Sequence, residues 1–436
     1  MKISNVFMKR RQHLLQQIGK NSIAIVFAAK EPSYHRKTVY PNRQDSNFSY
    51  LTGFPESNAV AVFVPNRKEG EYVLFNLEKN PEEEIWTGIR VGQSGACRDY
   101  GADQAFPVNM ANTMIPELIK NKEQIYFNIG DHEDHEQITY WLQQLTDKER
   151  AGINLPSDFI NIGKITHEMR IHKDNEEIAL LRKATEISAI AHIRAMKICK
   201  PGMMEYELEA EILREYIRKG GRMPAFQPIV ASGANSCILH YTQNDAELKS
   251  GELVLIDAGV DYKHYCGDIT RTFPVNGRFT TEQKAIYQAV LDTQLAVIEH
   301  VRPGIPWIEL QRISERVITE KLIALKLLKG KLNELLEKQA FKPFYMHYIG
   351  HWLGLDAHDV GKYKIDDKWR LLESGMVLTV EPGIYVSSDV PNVEQKWRSM
   401  GVRIEDDVLI TENGCEVLTS DVPKTIDEIE EIMQPE

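Results

Sequence analysis

Cysteine is scarce and unpatterned. The five present, Cys97, Cys199, Cys237, Cys266 and Cys415, lie far apart with no Cys-x-x-Cys among them. That excludes a disulfide framework and a zinc-thiolate site, and it fits a reducing cytoplasm. Long hydrophobic runs are missing as well. The longest apolar stretch near the N-terminus, Ile23 to Ala29, falls far short of a bilayer span, so a membrane partner is not expected. Positive charge is not in excess: 52 Lys and Arg against 63 Asp and Glu leave a net charge of -11, which excludes a sequence-independent grip on nucleic acid or anionic lipid. Acidic residues are absent before Glu31, but Phe7, Leu14, Leu15 and Ile18 recur at helical spacing. Met8 to Ile18 therefore predicts an amphipathic first helix rather than a targeting segment.

What is present is an ordinary folding composition, 42% hydrophobic and 26% charged over 436 residues, with length for two or three domains. The first third alternates short apolar strands (Ser22 to Ala28, Ala59 to Val64, Tyr72 to Phe75, Gln124 to Phe127) with polar turns and helical stretches. This predicts a small N-terminal α/β domain over residues 1–172. Residues 173–436 read differently. Asp174 followed by Glu177 forms a helix N-cap pair, and Leu181, Ala184, Ala191, Ala195 and Ile198 then keep a helical period until Pro201-Gly202.

The second region repeats itself. A helix ending in Lys200-Pro201-Gly202 is followed by a helix from Glu205 to Lys219. At an offset of 102 residues, a helix from Thr281 to His300 ends in Arg302-Pro303-Gly304 and another follows from Trp307. Downstream, Leu248-Lys-Ser-Gly-Glu-Leu-Val-Leu-Ile-Asp257-Ala-Gly259 aligns without a gap with Leu372-Glu-Ser-Gly-Met-Val-Leu-Thr-Val-Glu381-Pro-Gly383, at an offset of 124. The difference of 22 residues points to an insertion within Leu325 to Gln339. Such a duplication predicts two half-domains about a pseudo-two-fold axis, with Asp257 and Glu381 facing each other.

Each copy ends an apolar strand on a carboxylate, a costly place for an acid unless it is paired or binds a cation. Each copy also supplies a second acid on the returning strand, Asp268 and Glu405. A hairpin through Gly259 and Gly267 would bring Asp268 beside Asp257. Four convergent carboxylates do not all stay ionised in one pocket without cations. Three of the thirteen histidines, His347, His351 and His358, fall within twelve positions between these acids. Four carboxylates and an imidazole suit a pair of Mn²⁺ ions, with Co²⁺, Zn²⁺ or Fe²⁺ as the alternatives. Two cations in such a site would favour hydrolysis: a bridging water loses its proton near neutral pH, one metal polarises a carbonyl, and both stabilise the oxyanion.

The strings Asp257-Ala-Gly, Gly-Asp-Ile-Thr-Arg-Thr-Phe, His-Trp-Leu-Gly-Leu-Asp-x-His-Asp-Val-Gly, Thr-Val-Glu-Pro-Gly-x-Tyr and Gly-Val-Arg-Ile-Glu-Asp-Asp resemble the pita-bread metallopeptidases, and most closely the bacterial Xaa-Pro aminopeptidases (aminopeptidase P). The N-terminal segment beginning Arg43-Gln-Asp-Ser-Asn-Phe is similar to that family as well. The resemblance implies an α/β (α+β) chain, a small N-terminal domain before a pita-bread catalytic domain. It implies that Asp268 and Glu405 bridge two metals, that Asp257 completes one, and that His351 and Glu381 complete the other. The implied reaction is attack of a metal-bridging hydroxide on the carbonyl before proline, releasing the first residue of the peptide. Glu381 would pass the proton to the leaving proline nitrogen, His358 would hydrogen-bond the scissile region, and His240 and His347 would line the substrate pocket. Arg403, two residues before Glu405 on an apolar strand, would orient that region.

The bond to proline has no N-H and its ring fixes the backbone, so a peptidase that grips an extended chain by its amide hydrogens fits it poorly. The resemblance further implies a homodimer or homotetramer built through the N-terminal domain, with Trp86 either a subunit contact or a core residue. Two positions depart from the family: Tyr348 where glycine is usual, and Asn47 where aspartate is common. The rival readings are an Xaa-Pro dipeptidase (prolidase), which shares the fold and metals, and a non-catalytic binding protein on the same domain, which would have lost ligands.

Overall fold

The computed structural model describes residues 5–31, 33–34, 38–39, 43–146 and 148–434. The chain divides into two compact units, Met1–Met169 and Arg170–Glu436.

The first unit is built on a six-stranded mixed sheet in the order Gln104–Pro107, Tyr72–Asn76, Val60–Phe63, Ser22–Phe27, Gln124–Phe127, Asp158–Asn161. Ser22–Phe27 runs antiparallel to Val60–Phe63 and parallel to Gln124–Phe127. Ile23, Ile25, Val62, Val73, Phe75 and Trp141 fill one core against it. The first helix, Asn5–Ile18, buries Leu14 and Ile18 as its period predicts, and it also buries Arg10 and Arg11. Their guanidinium groups lie 4.0 Å over the Tyr50 ring and 4.5 Å over the Tyr72 ring and donate to the carbonyls of Tyr50 and Leu51. The buried face of this amphipathic helix thus carries two charges, each met by a π-system and a backbone carbonyl.

The second unit is the duplicated one, and its hydrogen bonds repeat at the two offsets read from sequence. Gly202 N donates to Leu248 O at 2.9 Å, and Gly304 N to Leu372 O at 2.8 Å. Leu248 N donates to Met203 O as Leu372 N does to Ile305 O, and Glu205 N to Ala246 O as Trp307 N does to Arg370 O. The turn glycines match too: Gly202 and Gly304 have φ of +87° and +85°, and Gly251 and Gly375 +87° and +88°. The leading helices, Asn175–Ile198 and Thr281–His300, each start on a capping box, Asp174 with Glu177 and Thr280 with Gln283. The insertion region carries a short helix, Leu332–Glu337.

Behind the helices, Leu253–Asp257 pairs antiparallel with Thr270–Pro274, and Val377–Val380 with Asp406–Ile410. The return from Asp257 is not one plain hairpin. Thr270, not Asp268, stands opposite Asp257, because Val260–Tyr262 and Tyr265–Cys266 form a smaller ribbon between the two strands. At its root a Cβ added to Gly259 would sit 1.6 Å from the Gly267 carbonyl oxygen, so backbone meets backbone there with no room for a side chain. The two halves join where Thr270 bridges to Glu405, with Glu405 N donating to Thr270 O at 3.1 Å.

Candidate metal centre

At that junction Asp268, His351 and Glu405 bring ligand atoms within 4.8 Å of one another. Asp268 and Glu405 are buried, 4% and 2% exposed. His351 Nε2 is 3.5 Å from Asp268 Oδ2 and 3.6 Å from Glu381 Oε1. His351 Nδ1 lies 3.0 Å from Trp352 O. A proton on Nδ1 satisfies that carbonyl and leaves the Nε2 lone pair facing the carboxylates, the tautomer a metal ligand needs.

Two threonines, one from each half, hold acids in place. Thr270 Oγ1 donates to Glu405 Oε2 at 2.6 Å. Thr379 Oγ1 accepts His351 N–H at 3.0 Å and is 3.3 Å from Glu381 Oε1. Asp257 meets the cluster through Arg403, whose Nη2 donates to its Oδ2 at 2.7 Å. The same guanidinium donates from Nη1 to Tyr385 Oη at 2.9 Å and from Nε to Thr270 Oγ1 at 3.1 Å. Tyr385 Oη in turn lies 2.9 Å from His347 Nε2, and His347 Nδ1 lies 2.8 Å from Tyr348 O. Arg403, Tyr385 and His347 form one chain from the carboxylates to the cavity wall.

The electrostatics show an excess of negative charge. Burial, then Asp257, push Asp268 well above the ordinary carboxylate range, and burial, then Asp268, do the same to Glu405. Burial also raises Glu381 and, strongly, Asp407, whose Oδ2 accepts the Asp268 backbone N–H at 3.0 Å. Against these acids stands Arg403, held charged by Tyr385 and Asp257 although burial opposes it. Asp257 Oδ1 is buried with no hydrogen-bond partner, an expensive state for a carboxylate oxygen. An oxygen-rich set short of positive charge, with one oxygen still unsatisfied, fits divalent cations. Among the described residues Asp268, His351 and Glu405 are the group close enough to share one ion.

The acids open into a cavity of about 760 Å³ in which all nine residues singled out from the sequence take part: Asp257, Asp268, His351, Glu381, Glu405, His240, His347, His358 and Arg403. His240 stands exposed on its wall. The His358 ring lies tilted by 54° against that of His351, ring centres 4.1 Å apart, and its pKa is lowered by burial and then by His351. His347 is pushed down to about 4 by burial and Arg403, so it is neutral at pH 7. The segment bearing His358 is pinned by Asp359, which pairs with Arg170 Nη2 at 2.6 Å and Lys173 Nζ at 3.1 Å. Tyr348 is 65% exposed at the cavity edge. In the first unit Trp86 is 87% exposed beside Ile85 and Ile89, so it is not a core residue. Asn47 sits in the helix Ser46–Thr52 behind the N-cap Asp45.

Sequence reasoning passed over Thr270, Thr379, Tyr385, Asp407 and the aromatic residues Trp307, Tyr363 and Trp369, which also line the cavity or brace its acids. A signal existed for the threonines: each lies two residues from a carboxylate, Asp268 or Glu381, on the same face of an extended chain.

The profile of metallopeptidase family M24 matches residues 179–412, and that of the aminopeptidase P N-terminal domain matches residues 7–126. The chain is 45% identical to the Xaa-Pro aminopeptidase of Escherichia coli K12, over 98% of this chain and 97% of the relative. It is 41% identical to that of Haemophilus influenzae Rd, over 98% and 96%. Among solved structures it is similar to the Pseudomonas aeruginosa aminopeptidase PepP, with a TM-score of 0.97 and 48% identity over 99% and 98% of the two chains. It is also similar to zinc-substituted E. coli aminopeptidase P in complex with product, with a TM-score of 0.95 and 44% identity over 99% of each chain.

Proposed function

The chain belongs to metallopeptidase family M24, and from that premise we propose that it is an aminopeptidase that releases the first residue from peptides with proline second. The observation that carries the reading is the convergence of buried acids, one oxygen unpaired, at the floor of an open cavity. Asp268 and Glu405 would be shared by two divalent ions, Asp257 would complete the shell of one, and His351 and Glu381 that of the other. Such a pair supplies a water acidic enough to attack near neutral pH and a Lewis acid for the carbonyl before proline.

The chain's own residues do the rest. Glu381 takes the proton of the attacking water and returns it to the proline nitrogen as the C–N bond breaks. His358 donates to the scissile region, beside His351. His347, neutral and held between Tyr385 and the Tyr348 carbonyl, and the exposed His240 form two sides of the substrate pocket. Arg403 acts through Asp257 and Tyr385, fixing the angle of one ligand and the phenol that orients His347.

Manganese as the working metal is supported by the oxygen-rich donor set. A cytoplasmic location is supported by five free thiols. Assembly into a homodimer or homotetramer through the N-terminal domain is supported by the exposed Ile85, Trp86 and Ile89. We assign 1–172 to that domain and 173–436 to the catalytic one.

The test is cleavage of an Ala-Pro-Ala tripeptide by the Mn²⁺-reconstituted protein, against the dipeptide Ala-Pro and against Asp268→Ala. Tripeptide cleavage that a chelator abolishes, and that falls by roughly 10³-fold or more in Asp268→Ala, supports the reading. Dominant dipeptide cleavage overturns it in favour of a dipeptidase.

A further inference from the structure

The cavity has two unlike walls. Residues of the first half contribute Phe226, Ile229, Leu239 and Thr242, with Gln227 and His240 exposed. Residues of the second half contribute Trp307, Tyr348, Tyr363 and Trp369, and these form a continuous aromatic ladder. It begins at Trp352, fully buried and next in sequence to His351. Trp352 stacks on Tyr363 with ring centres 5.3 Å apart, and Tyr363 meets Trp307 edge-on at 4.9 Å. Trp307 then stacks on Trp369 at 6.0 Å and takes Tyr348 edge-on at 6.0 Å. Its inner end is buried, 0% exposed at Trp352 and 3% at Trp307, and its outer end reaches solvent, 65% exposed at Tyr348. Exposed Met346, Ile365 and Leu371 neighbour its outer members in sequence.

An aminopeptidase holds the free amino terminus of its substrate inside, so the chain beyond the cleaved bond must leave toward solvent. It leaves along whichever wall runs unbroken from the reacting groups to the surface. The exposed residues of the first wall, Gln227 and His240, are polar, whereas the aromatic ladder of the second reaches solvent at Tyr348, and an exposed aromatic face of this kind marks a binding surface. We infer that the Trp307, Trp369 and Tyr348 wall is a subsite for the residue after proline, and that it selects peptides with an aromatic or large aliphatic side chain at the third position. This rests on the aminopeptidase reading and adds to it a choice among Xaa-Pro peptides. Tyr348 closes the rim of the subsite and supplies its outermost ring face.

The test is a ratio, which does not depend on the fraction of active enzyme: kcat/KM for Ala-Pro-Phe over that for Ala-Pro-Ala, measured on the full chain with Mn²⁺. The wild-type protein is expected to favour phenylalanine by about three- to ten-fold, the worth of one aromatic pair. Tyr348→Gly is expected to bring the ratio close to one, Tyr348→Phe to preserve it, and Trp369→Ala to lower it. Cleavage of both peptides with equal ratios in wild type and Tyr348→Gly overturns the inference while leaving the aminopeptidase reading intact. A Tyr348→Gly effect that follows the first residue instead, changing Phe-Pro-Ala against Ala-Pro-Ala, overturns it as well, since the wall would then serve the residue before the cleaved bond. Failure of the wild-type protein to cleave any of the tripeptides sinks the aminopeptidase reading and the inference with it.

Discussion

The two halves of the catalytic unit share a backbone and differ in what they hang on it. The hydrogen bonds at Gly202 and Gly304, Met203 and Ile305, and Glu205 and Trp307 superpose as a pattern, yet the side chains at those places have gone separate ways. Glu205 is buried and takes hydrogen bonds from Ser232, Asn235, Tyr241 and Ala246, bracing the segment that carries His240. Its counterpart Trp307 is the centre of the aromatic wall. On the leading helices, His192 reaches the Ala258 carbonyl at 3.0 Å, while Gln294, 102 residues later, reaches the carbonyls of Val380 and Ile404 and accepts Lys424 Nζ. A duplicated frame fixes where side chains start, and the cluster at the seam lets each copy specialise.

The largest expected effect bears on the matched acids at the ends of the two strands. In Glu381→Gln, kcat at saturating Mn²⁺ is expected to fall by roughly 10²–10⁴-fold, because the proton carrier is gone. In Asp257→Asn the loss is expected to shrink as Mn²⁺ is raised, because on the proposed reading that residue serves chiefly to hold metal. Metal titrations of tripeptide cleavage read the difference, and equal residual deficits at saturation would erase the division of labour.

A middle-sized effect separates the two buried polar plugs by pH. Burial pushes His192 down to about 4 from an ordinary value near 6.5. Between those values the unfolded chain binds the extra proton. The contribution of the neutral ring to stability is therefore complete above pH 6.5 and is lost as pH falls toward 4, by about 3 kcal/mol. Gln294 has no such dependence. His192→Gln, which keeps a donor for Ala258 O, is expected to show a shallower fall in Tm across this window than the wild-type protein. Parallel curves would show that the ring contributes nothing to acid sensitivity.

The smallest effect tests sameness rather than difference. Neither Gly202 nor Gly304 has an atom within 4 Å of an added Cβ, and their φ values differ by little. Gly202→Ala and Gly304→Ala should each cost only backbone strain, about 1 kcal/mol, or roughly 2–4 °C in Tm. Unequal melting shifts would mean the two turns are not equivalent.

The duplication was legible because glycine turns and strand-end acids are rare enough to be seen against an apolar background. The acids and histidines of the cavity were legible for the same reason: Asp257, Asp268, Glu381 and Glu405 interrupt strands that should not carry charge. The supporting layer was not. Thr270, Thr379 and Tyr385 are residue types that strands favour for packing alone, so nothing in their identity separates a brace from filler. Trp307 reads as the first residue of an ordinary helix, and only the fold turns it toward the cavity. Arg10 and Arg11 show the opposite failure, since charge in a helix reads as solvent-facing until the rings of Tyr50 and Tyr72 are seen beside it.

The contact between Gly259 and Gly267 has a consequence for variation. A side chain near the acids can be exchanged for something smaller or larger at some graded loss, because it can tilt or a neighbour give way. Where one peptide unit rests on another there is nothing to tilt. The position admits a single amino acid, and it lies between Asp257, at the end of one strand, and Asp268, two residues before the next. Drift in this half of the molecule is therefore anchored at its narrowest point by the one residue with no side chain to change.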